Sequence, residues 1–336
     1  MPTVLVTGAS GFIALHIISQ LLTDTDHRIH VSIRTAEKQD YLKNLFPSQQ
    51  NRLFFFIADL NQDDNWDKAA EGCDYVLHVA SPFPPKPTAD ENTLIKPARE
   101  GTMRVLAAAN AAGVKRVVLT SSIAAVGFGW QSKQDFGPDD WSQLKSHSID
   151  PYEKSKTLAE QAAWQYMQEH KPSFTLCSIL PGLVVGPIIG NRISTSNMII
   201  HKLISGQLPG SPSINIALTD VREVAAMHIC ALVNTGAANK RLIMADQNFW
   251  IAEMATILRK NGYRYAPSFT LPNIVIRFLA LFDNEIAMAK QYLDLNKRFD
   301  CRLTKSILDW HPMDCKQSLL DAAESIQSVS GNSYKF

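Results

Sequence analysis

The sequence lacks the features that mark several broad classes of protein. Its 33 basic residues balance 32 acidic ones, so the formal net charge of +1 gives no electrostatic reason to expect nucleic acid or an anionic membrane as a partner. The apolar run 274–282 is too short to span a bilayer and contains Arg277. The N-terminus has no basic region ahead of its apolar residues, unlike a signal peptide. We therefore expect a soluble protein without a membrane or nucleic-acid partner.

Cysteine, histidine and serine motifs are missing as well. The five cysteines are an odd number without a Cys-x-x-Cys pair, which is typical of a reduced intracellular protein, and the expected location is the cytoplasm. The nine histidines show no His-Glu-x-x-His or other ligand spacing, so no metal site is predicted. The Gly-x-Ser-x-Gly elbow of many serine hydrolases is absent, which argues against hydrolysis.

The N-terminal half alternates short apolar runs with helical patterns. Such alternation predicts an open α/β sheet of parallel strands with helices on its faces. The 336 residues contain no internal repeat and no Pro/Gly-rich linker, so we expect the two halves to be interleaved. The predicted strands are 3–7, 28–33, 53–57, 73–79, 116–122 and 174–180, and the segment 241–245 is expected to return to the same sheet.

A glycine-containing turn follows the first predicted strand. The segment Gly8-Ala9-Ser10-Gly11-Phe12-Ile13-Ala14 leads from that strand into a helical pattern. Gly8 would permit the tight turn, and Gly11 would let a pyrophosphate approach the backbone near the free N–H groups of the helix. The spacing is Gly-x-x-Gly-x-x-Ala, so the glycine count alone is weak evidence. Its position directly after the first strand is what indicates a dinucleotide site.

The second predicted strand ends in a cation. Dinucleotide sites that hold the 2′-hydroxyl of the adenosine ribose usually place an acid here, whereas this chain has Arg34, with Lys38 one helical turn on. A guanidinium can bind a 2′-phosphate that an acid would repel. The pattern favours NADP(H) over NAD(H); the alternative is a solvated charge at a strand end. After the third strand, Asp59 could accept a hydrogen bond from the adenine amino group.

A tyrosine and a lysine lie four residues apart at the start of a predicted helix. Positions four apart are neighbours on one helical face, so Tyr152 and Lys156 can project into one cleft. A cation beside a phenol favours the phenolate and brings its pKa nearer to neutrality. The spacing alone recurs by chance in a chain of this length. What supports it is Ser121-Ser122 at the end of the preceding strand, where a hydroxyl could bind a carbonyl oxygen.

Four segments occur in a distinctive order. They are Thr7-Gly8-Ala9-Ser10-Gly11-Phe12-Ile13-Ala14, Leu77-His78-Val79-Ala80-Ser81-Pro82, Val118-Leu119-Thr120-Ser121-Ser122 and Tyr152-x-x-x-Lys156. With these segments in this order, the chain resembles the extended short-chain dehydrogenase/reductase superfamily, and within it the branch of dihydroflavonol reductases, cinnamoyl-CoA reductases and yeast-type methylglyoxal or carbonyl reductases. The resemblance covers nearly the whole chain.

The resemblance implies a Rossmann-type doubly wound parallel sheet with a smaller, interleaved C-terminal substrate domain. Residues 1–187, with strand 241–245, would form the NADP-binding domain, and residues 188–336 would form mainly the substrate-binding lobe. It also implies a catalytic set of Ser122, Tyr152 and Lys156. The choice of Ser122 over Ser121 comes from the family pattern alone.

The cofactor implied by the resemblance is NADPH/NADP+. In similar proteins a Pro-x-x-Val segment shapes the nicotinamide pocket, and this segment corresponds here to Pro181 and Val184. The full set of residues expected to contact the cofactor is Gly8, Ser10, Gly11, Phe12, Ile13, Arg34, Lys38, Asp59, Leu60, Val79, Ala80, Ser81, Thr120, Tyr152, Lys156, Pro181 and Val184.

The expected activity is NADPH-dependent reduction of an aldehyde or ketone to an alcohol, with Tyr152 as proton donor. The substrate would be a small carbonyl compound, and the protein a monomer or a homodimer. Two alternatives remain open: a nucleotide-sugar epimerase or dehydratase of the same superfamily, and a non-catalytic NADP(H)-sensing protein. The candidate substrate-pocket residues are apolar or aromatic, without an arginine cluster for a diphosphate, and are Phe83, Ile123, Phe128, Trp130 and Leu183.

Overall fold

The computed structural model describes residues 1–82, 90–331 and 334, the side chains of 284 and 285 excepted. The predicted pocket residue Phe83 lies outside these ranges. Within them, no helix has both the length and the apolar character needed to cross a membrane. The strands are β1 Thr3–Val6, β2 Arg28–Ile33, β3 Leu53–Ile57, β4 Tyr75–His78, β5 Arg116–Thr120, β6 Asp135–Phe136, β7 Thr175–Pro181, β8 Leu183–Val185, β9 Asn215–Asp220, β10 Lys240–Met244, β11 Gln247–Trp250 and β12 Arg298–Phe299.

Helices separate most of these strands. The helices are α1 Phe12–Asp24, α2 Glu37–Leu45, α3 Trp66–Ala70, α4 Asn92–Ala111, α5 Pro151–His170, α6 Met198–Ile204, α7 Val221–Val233, α8 Ile251–Lys260, α9 Asn273–Leu279, α10 Asn284–Ala289, α11 Arg302–Leu308 and α12 Cys315–Ser330.

Within the described residues, seven strands form one parallel sheet in the order β10-β7-β5-β4-β1-β2-β3. The chain places β2 and β3 on one side of β1 and then returns to place β4, β5, β7 and β10 on the other. A crevice opens beyond the carboxyl ends of the strands at such a switch point. The predicted Rossmann-type α/β fold is confirmed.

Helices cover both faces of this sheet, which is why its central strands are apolar throughout. On one face, Ile17 and Ile18 of α1 pack in the same core as Val224 of α7. On the other face, Leu106 of α4 packs in the same core as Ala163 of α5. Each of these side chains is at most 1% exposed. The two layers hold the strand ends rigidly where the crevice opens.

The second part of the chain has an apolar core of its own. β8 begins two residues after β7 ends and forms a smaller sheet of order β11-β9-β8, in which β8 is parallel and β11 antiparallel to β9. Leu203 of α6, Leu258 of α8 and Leu319 of α12 are fully buried beside this sheet. The smaller lobe therefore starts at the carboxyl ends of the strands of the large sheet, where β7 ends.

The segment 127–147 is mostly irregular but contains the short strand β6. β6 pairs in parallel with β12, and Arg298 forms an ion pair with Asp135 at 2.6 Å. Phe136 stacks on Phe299, with ring centroids 5.7 Å apart. No local pattern of the sequence indicates β6, because its pairing partner lies in the last part of the chain.

A buried ion pair joins the edge strand β10 to helix α5. Arg241 Nε lies 2.8 Å from Glu160 Oε1, and Arg241 Nη2 lies 3.0 Å from Oε2. The Arg241 side chain is 9% exposed and that of Glu160 is 1% exposed. The guanidinium also donates to the carbonyl oxygens of Pro138 and Asp140 and lies 3.7 Å from the centroid of the Trp141 ring. One side chain thus connects a strand, a helix and a loop.

Removal of the Arg241 guanidinium should destabilise the protein strongly. In Arg241→Ala the Glu160 carboxylate stays in the interior without its ion-pair partner, which should lower the free energy of unfolding by about 3–5 kcal/mol. Arg298→Ala, which breaks the exposed pair with Asp135, is the control and should cost less than about 1 kcal/mol because water screens that pair. Urea denaturation gives both values, and equal losses would contradict the importance of the buried pair.

Candidate active site

The turn after β1 requires glycine. Gly8 has φ +67°, and a Cβ at this position would lie 3.0 Å from both Cα and Cβ of Ala80. The Gly8 N–H donates to Ser32 Oγ near the end of β2 at 3.0 Å. The ends of β1, β2 and β4 therefore meet closely at the switch point and leave a backbone surface without side chains, which a phosphate group can approach.

Helix α1 begins at this turn with an N-terminus that no side chain caps. Gly11 is the N-cap residue, and its N–H donates to Gly8 O at 2.9 Å. A Cβ on Gly11 would lie 3.1 Å from the same oxygen. Ser10, Phe12 and Ile13 are half-buried around the N-terminus. The free N–H groups of the first turn carry the positive end of the helix dipole, so the geometry suits an anion.

One hydroxyl locks the end of β4 to the end of β1. Thr7 Oγ1 accepts from the N–H groups of Val79 and Ala80 at 3.0 and 2.9 Å and lies 2.9 Å from His78 Nδ1. His78 is 1% exposed, and burial lowers its pKa to about 3, so the ring is neutral. These bonds hold Val79 and Ala80 beside the glycine turn, and the half-buried Ser81 follows them.

Three cations gather beyond the end of β2. Arg34 follows the strand, Lys38 lies in α2, and Arg192 belongs to the segment after β8. The pKa of Lys38 is lowered by partial burial and then by repulsion from Arg192 and Arg34. Neither arginine side chain forms a hydrogen bond or an ion pair with another described residue. The exposed Glu37 carboxylate acts on Lys38 only as the smallest influence on its pKa, so this group of cations suits a doubly charged anion such as a phosphate.

A close contact brings Arg192 to this place. Gly190 has φ +91°, and a Cβ there would lie 2.1 Å from the hydroxyl oxygen of Tyr41 in α2. The Tyr41 ring centroid lies 5.7 Å from Lys38 Nζ. The segment after β8 therefore packs on α2 at Gly190, two residues before Arg192. This contact brings a residue from the second half of the chain to the end of β2.

The third strand contributes a carboxylate and an apolar side chain. Asp59 Oδ1 accepts from the main-chain and side-chain N–H groups of Asn61, both at 2.8 Å. Leu60 packs on Gly101 of α4, where a Cβ would lie 2.6 Å from Leu60 Cβ. Asp59 and Leu60 are half-buried at the carboxyl edge of the sheet.

The side chains of Tyr152 and Ser122 meet at the end of β5. Tyr152 lies in the first turn of α5, where the Glu153 N–H donates to Asp150 Oδ1 at 2.7 Å and the Asp150 N–H donates to Glu153 Oε2 at 2.9 Å. Pro151 is the first helical residue, so the helix begins where the sequence predicts. The Ser122 hydroxyl lies close enough to the Tyr152 phenol to lower its pKa.

The two neighbouring serines face different surroundings. Ser122 Oγ accepts from the Ala124 N–H at 3.1 Å and contacts Tyr152. Ser121 Oγ donates instead to Glu160 Oε2 at 2.7 Å, inside the buried ion pair described above. This difference favours Ser122 as the hydroxyl that can reach a ligand in the crevice.

Lys156 lies one turn after Tyr152 and is buried against β5. Its Nζ donates to the carbonyl oxygen of Thr120 at 3.0 Å, and the residue is 8% exposed. The Thr120 hydroxyl is turned elsewhere, 2.7 Å from Nε2 of the buried His228. Burial lowers the pKa of Lys156 to about 8, and the nearby Glu160 carboxylate opposes the shift. The ammonium is therefore mostly charged at neutral pH.

The pKa of Tyr152 differs from the expectation based on the Tyr-Lys spacing. Burial raises it to about 12, the nearby Ser122 hydroxyl opposes the rise, and the carboxyl groups of Asp150 and Glu153 add to it. The expected lowering is wrong for the protein alone because burial of the phenol dominates its pKa. Tyr152 is therefore protonated at neutral pH, which is the state that a proton donor needs.

Pro181 and Val184, the two residues expected near a nicotinamide ring, are buried at the start of the smaller lobe. Pro181 ends β7 and Val184 lies in β8. Between them, a Cβ on Gly182 would lie 2.4 Å from the carbonyl oxygen of Ala217, so the chain has no room for a side chain there. This close packing fixes the path of the chain between β7 of the large sheet and β8 of the smaller sheet.

Four predicted pocket residues can be placed. Ile123 is buried at the end of β5, and Leu183 is half-buried against the core of the second lobe. Phe128 and Trp130 are also half-buried: the Phe128 ring centroid lies 4.0 Å from Lys297 Nζ, and Trp130 Nε1 donates to a main-chain carbonyl at 3.0 Å. Their contact with a substrate stays a prediction.

The structure adds three residues that the sequence reasoning did not find. Arg192 joins the cations near β2, Tyr292 contacts the first turn of α5, and Lys297 donates to Gly127 O at 2.6 Å. All three come from the second half of the chain, far in sequence from their neighbours. No local spacing or periodicity carries a signal for such contacts, and only the folded chain reveals them.

Comparison with known proteins agrees with this geometry. The chain is 35% identical over 283 residues to a putative NADPH-dependent methylglyoxal reductase of Candida albicans, which covers 77% of this chain and 82% of the relative. It is 34% identical over 278 residues to a cinnamoyl-CoA reductase of Medicago truncatula, covering 80% and 82% of the two chains.

The chain also matches a solved structure and a family model. The yeast methylglyoxal/isovaleraldehyde reductase complexed with NADPH matches with a TM-score of 0.82 and 27% identity, over 98% of this chain and 100% of that chain. Residues 5–258 match the model of the 3-beta hydroxysteroid dehydrogenase/isomerase family. As the order of the motifs predicts, the chain belongs to the 3-beta hydroxysteroid dehydrogenase/isomerase family of extended short-chain dehydrogenases/reductases.

Proposed function

We propose that this protein is an NADPH-dependent reductase that converts the carbonyl group of a small aldehyde or ketone into an alcohol. The observation that carries the proposal is the close approach of the Ser122 hydroxyl to the Tyr152 phenol at the carboxyl edge of the sheet, with the Lys156 ammonium one helical turn away. The relatives named for methylglyoxal and cinnamoyl-CoA reduction support the same reaction class.

The residues at the switch point fit NADPH. The backbone at Gly8 and Gly11 would hold the pyrophosphate, and the cations Arg34, Lys38 and Arg192 would hold the 2′-phosphate. When bound, NADPH supplies the hydride. The other residues proposed to contact it are Ser10, Phe12, Ile13, Asp59, Leu60, Val79, Ala80, Ser81, Thr120, Pro181 and Val184, together with Tyr152 and Lys156.

The hydroxyls of Ser122 and Tyr152 would bind the carbonyl oxygen of the substrate between them. Ser122 donates to this oxygen as negative charge develops on it. Tyr152 transfers its proton to the same oxygen, and a pKa of about 12 allows this because an alcohol is a weaker acid than a phenol. Lys156 stabilises the resulting tyrosinate and would hold the nicotinamide ribose.

The first part of the chain would bind the cofactor, and most of the second part would bind the substrate. Residues 1–187 with β10 would bind NADPH, and residues 188–336 would form mainly the substrate lobe. The substrate would contact the apolar pocket predicted from the sequence: Phe83, Ile123, Phe128, Trp130 and Leu183. We propose a cytoplasmic monomer or homodimer whose partner is a small carbonyl compound.

The two alternative functions have less support. A nucleotide-sugar epimerase or dehydratase needs cations for a diphosphate in the second lobe, but Arg192 lies beside Lys38 at the end of β2 and Lys297 is bound to a main-chain carbonyl. A protein that only senses NADP(H) has no need of a tyrosine and a serine hydroxyl brought together beside a buried lysine.

The Tyr152→Phe variant tests the proton donor. It should reduce a reactive dicarbonyl such as methylglyoxal at least about 100-fold more slowly, because the carbonyl oxygen loses its acid. NADPH binding, followed by nicotinamide fluorescence, should stay within about twofold of the wild type, since the phosphate contacts are unchanged. A near-wild-type rate of NADPH oxidation in this variant would contradict the role of Tyr152.

The Arg34→Ala and Arg192→Ala variants test the 2′-phosphate site. Each should raise the KM for NADPH about 10-fold or more and leave the KM for NADH nearly unchanged, because a charge-assisted hydrogen bond contributes about 1.5–3 kcal/mol. Arg277→Ala, at an exposed arginine of α9, is the control and should change neither constant. If the ratio of the two KM values stays at its wild-type value in Arg192→Ala, this residue does not bind the 2′-phosphate.

A further inference from the structure

Two carboxyl groups and a phenol meet beside the first turn of α5. The hydroxyl oxygen of Tyr292 lies 2.8 Å from Asp150 Oδ2 and 2.8 Å from Glu153 Oε1. Glu153 is 3% exposed, whereas Asp150 and Tyr292 are half-buried. Asp150 and Glu153 also close the capping box of the turn that carries Tyr152. We call Asp150, Glu153 and Tyr292 the Tyr292 cluster.

The two short contacts of the Tyr292 cluster require one proton more than a phenol and two ionised carboxylates contain. A phenol has a single hydrogen and can donate it to only one of the two carboxyl groups. The second contact at 2.8 Å joins two oxygens, and it is a hydrogen bond only if the other carboxyl group carries a proton of its own. Two ionised carboxylates on one phenol would instead repel each other inside the protein.

Burial identifies Glu153 as the protonated partner. Its Oε2 already accepts from the Asp150 N–H, so Oε1 is left to donate to the Tyr292 oxygen while Tyr292 donates to Asp150. Burial, and then the Asp150 carboxylate, raise the pKa of Glu153 to about 8, although the Asp150 N–H, the Tyr292 hydroxyl and the Lys297 ammonium, in that order, oppose the rise.

The ionisable groups around Glu153 come from each element packed on it. Asp150 belongs to its own helical turn, and Tyr292 and Lys297 belong to the segment before β12. At the N-cap of helix α4, Glu91 is paired with Lys154 at 2.6 Å. Lys297 donates to Gly127 O and lies over the Phe128 ring, so its charge reaches Glu153 only through space.

We propose that Glu153 is a neutral carboxylic acid in the active protein and that, through Tyr292, it fixes the Tyr152 turn to the second lobe. Glu153 and Tyr292 are then positioning residues for Tyr152, a role that rests on the proposed function. Loss of the proton places a second negative charge on the cluster, breaks one of its two hydrogen bonds and releases the segment around Tyr292 from α5.

Thermal unfolding tests the protonation without any substrate. The pKa of Glu153 in the folded protein lies above its value of about 4.3 in an unfolded chain, so its proton stabilises the fold at low pH, and this stabilisation is lost as the pH rises toward 8. Glu153→Gln keeps a donor toward Tyr292 and cannot ionise. The Tm of this variant minus that of the wild type should therefore rise by about 5 °C between about pH 5 and pH 8.

Glu253→Gln is the matched control for this measurement. Glu253 accepts from the N-cap N–H of α8 at 2.8 Å, as Glu153 does in α5, but it is exposed. Its Tm difference from the wild type should not change with pH. A Tm difference for Glu153→Gln that is equally independent of pH would overturn the proposal, because Glu153 would then be ionised in the folded protein.

Catalysis tests the positioning role. The ratio of the wild-type kcat to that of Glu153→Gln should fall between about pH 7 and pH 9, since Lys156 and Lys297 titrate in both proteins and only Glu153 differs. Tyr292→Phe should lower kcat several-fold with little change in the KM for NADPH, whereas Tyr75→Phe, at the amino end of β4, should change neither. A kcat ratio that is constant with pH would refute the positioning role. If the wild type and every variant lacked reductase activity, this would count against the proposed function. The Tm result would still decide whether Glu153 is protonated.

Discussion

The buried ammonium of Lys156 is the constraint around which the site is organised. A cation in the protein interior must find hydrogen-bond acceptors, and it finds the carbonyl oxygen of Thr120 at the end of β5. This bond fixes where α5 crosses the strand. One helical turn earlier, the same crossing brings the Tyr152 phenol to Ser122, the second residue after the strand ends. The Tyr152 and Ser122 hydroxyls thus lie close together because the buried Lys156 ammonium binds the Thr120 carbonyl oxygen.

The parts of the structure that local patterns determine were predicted well. Continuous apolar runs mark the strands of a sheet that is covered on both faces, and the helix beginning at Pro151 follows from proline at its first position. The turn at Gly8 was recognisable because its left-handed backbone and its contact with Ala80 exclude other residues. Each of these features depends on a few neighbouring residues, so the sequence displays it directly.

The features that escaped prediction depend on distant partners or on burial. The strand β6 exists because β12 pairs with it, and the position of Arg192 depends on the contact between Gly190 and Tyr41. The pKa of Tyr152 could not be inferred from the spacing to Lys156, because burial outweighs a cation that is bound elsewhere. In each case the deciding quantity is a tertiary distance or a loss of solvent, which no short stretch of sequence contains.

Strand β10 and the Tyr292 cluster affect when the site can form during synthesis. The counter-ion of Glu160 is supplied by residue 241, and the contact that holds the first turn of α5 is supplied by residue 292. A nascent chain that ends near residue 187 would have an open sheet edge at β7 and an unpaired carboxylate beneath Lys156. The glycine turn can fold early on the ribosome, but the pair of hydroxyls can reach its final geometry only after nearly nine-tenths of the polypeptide has emerged.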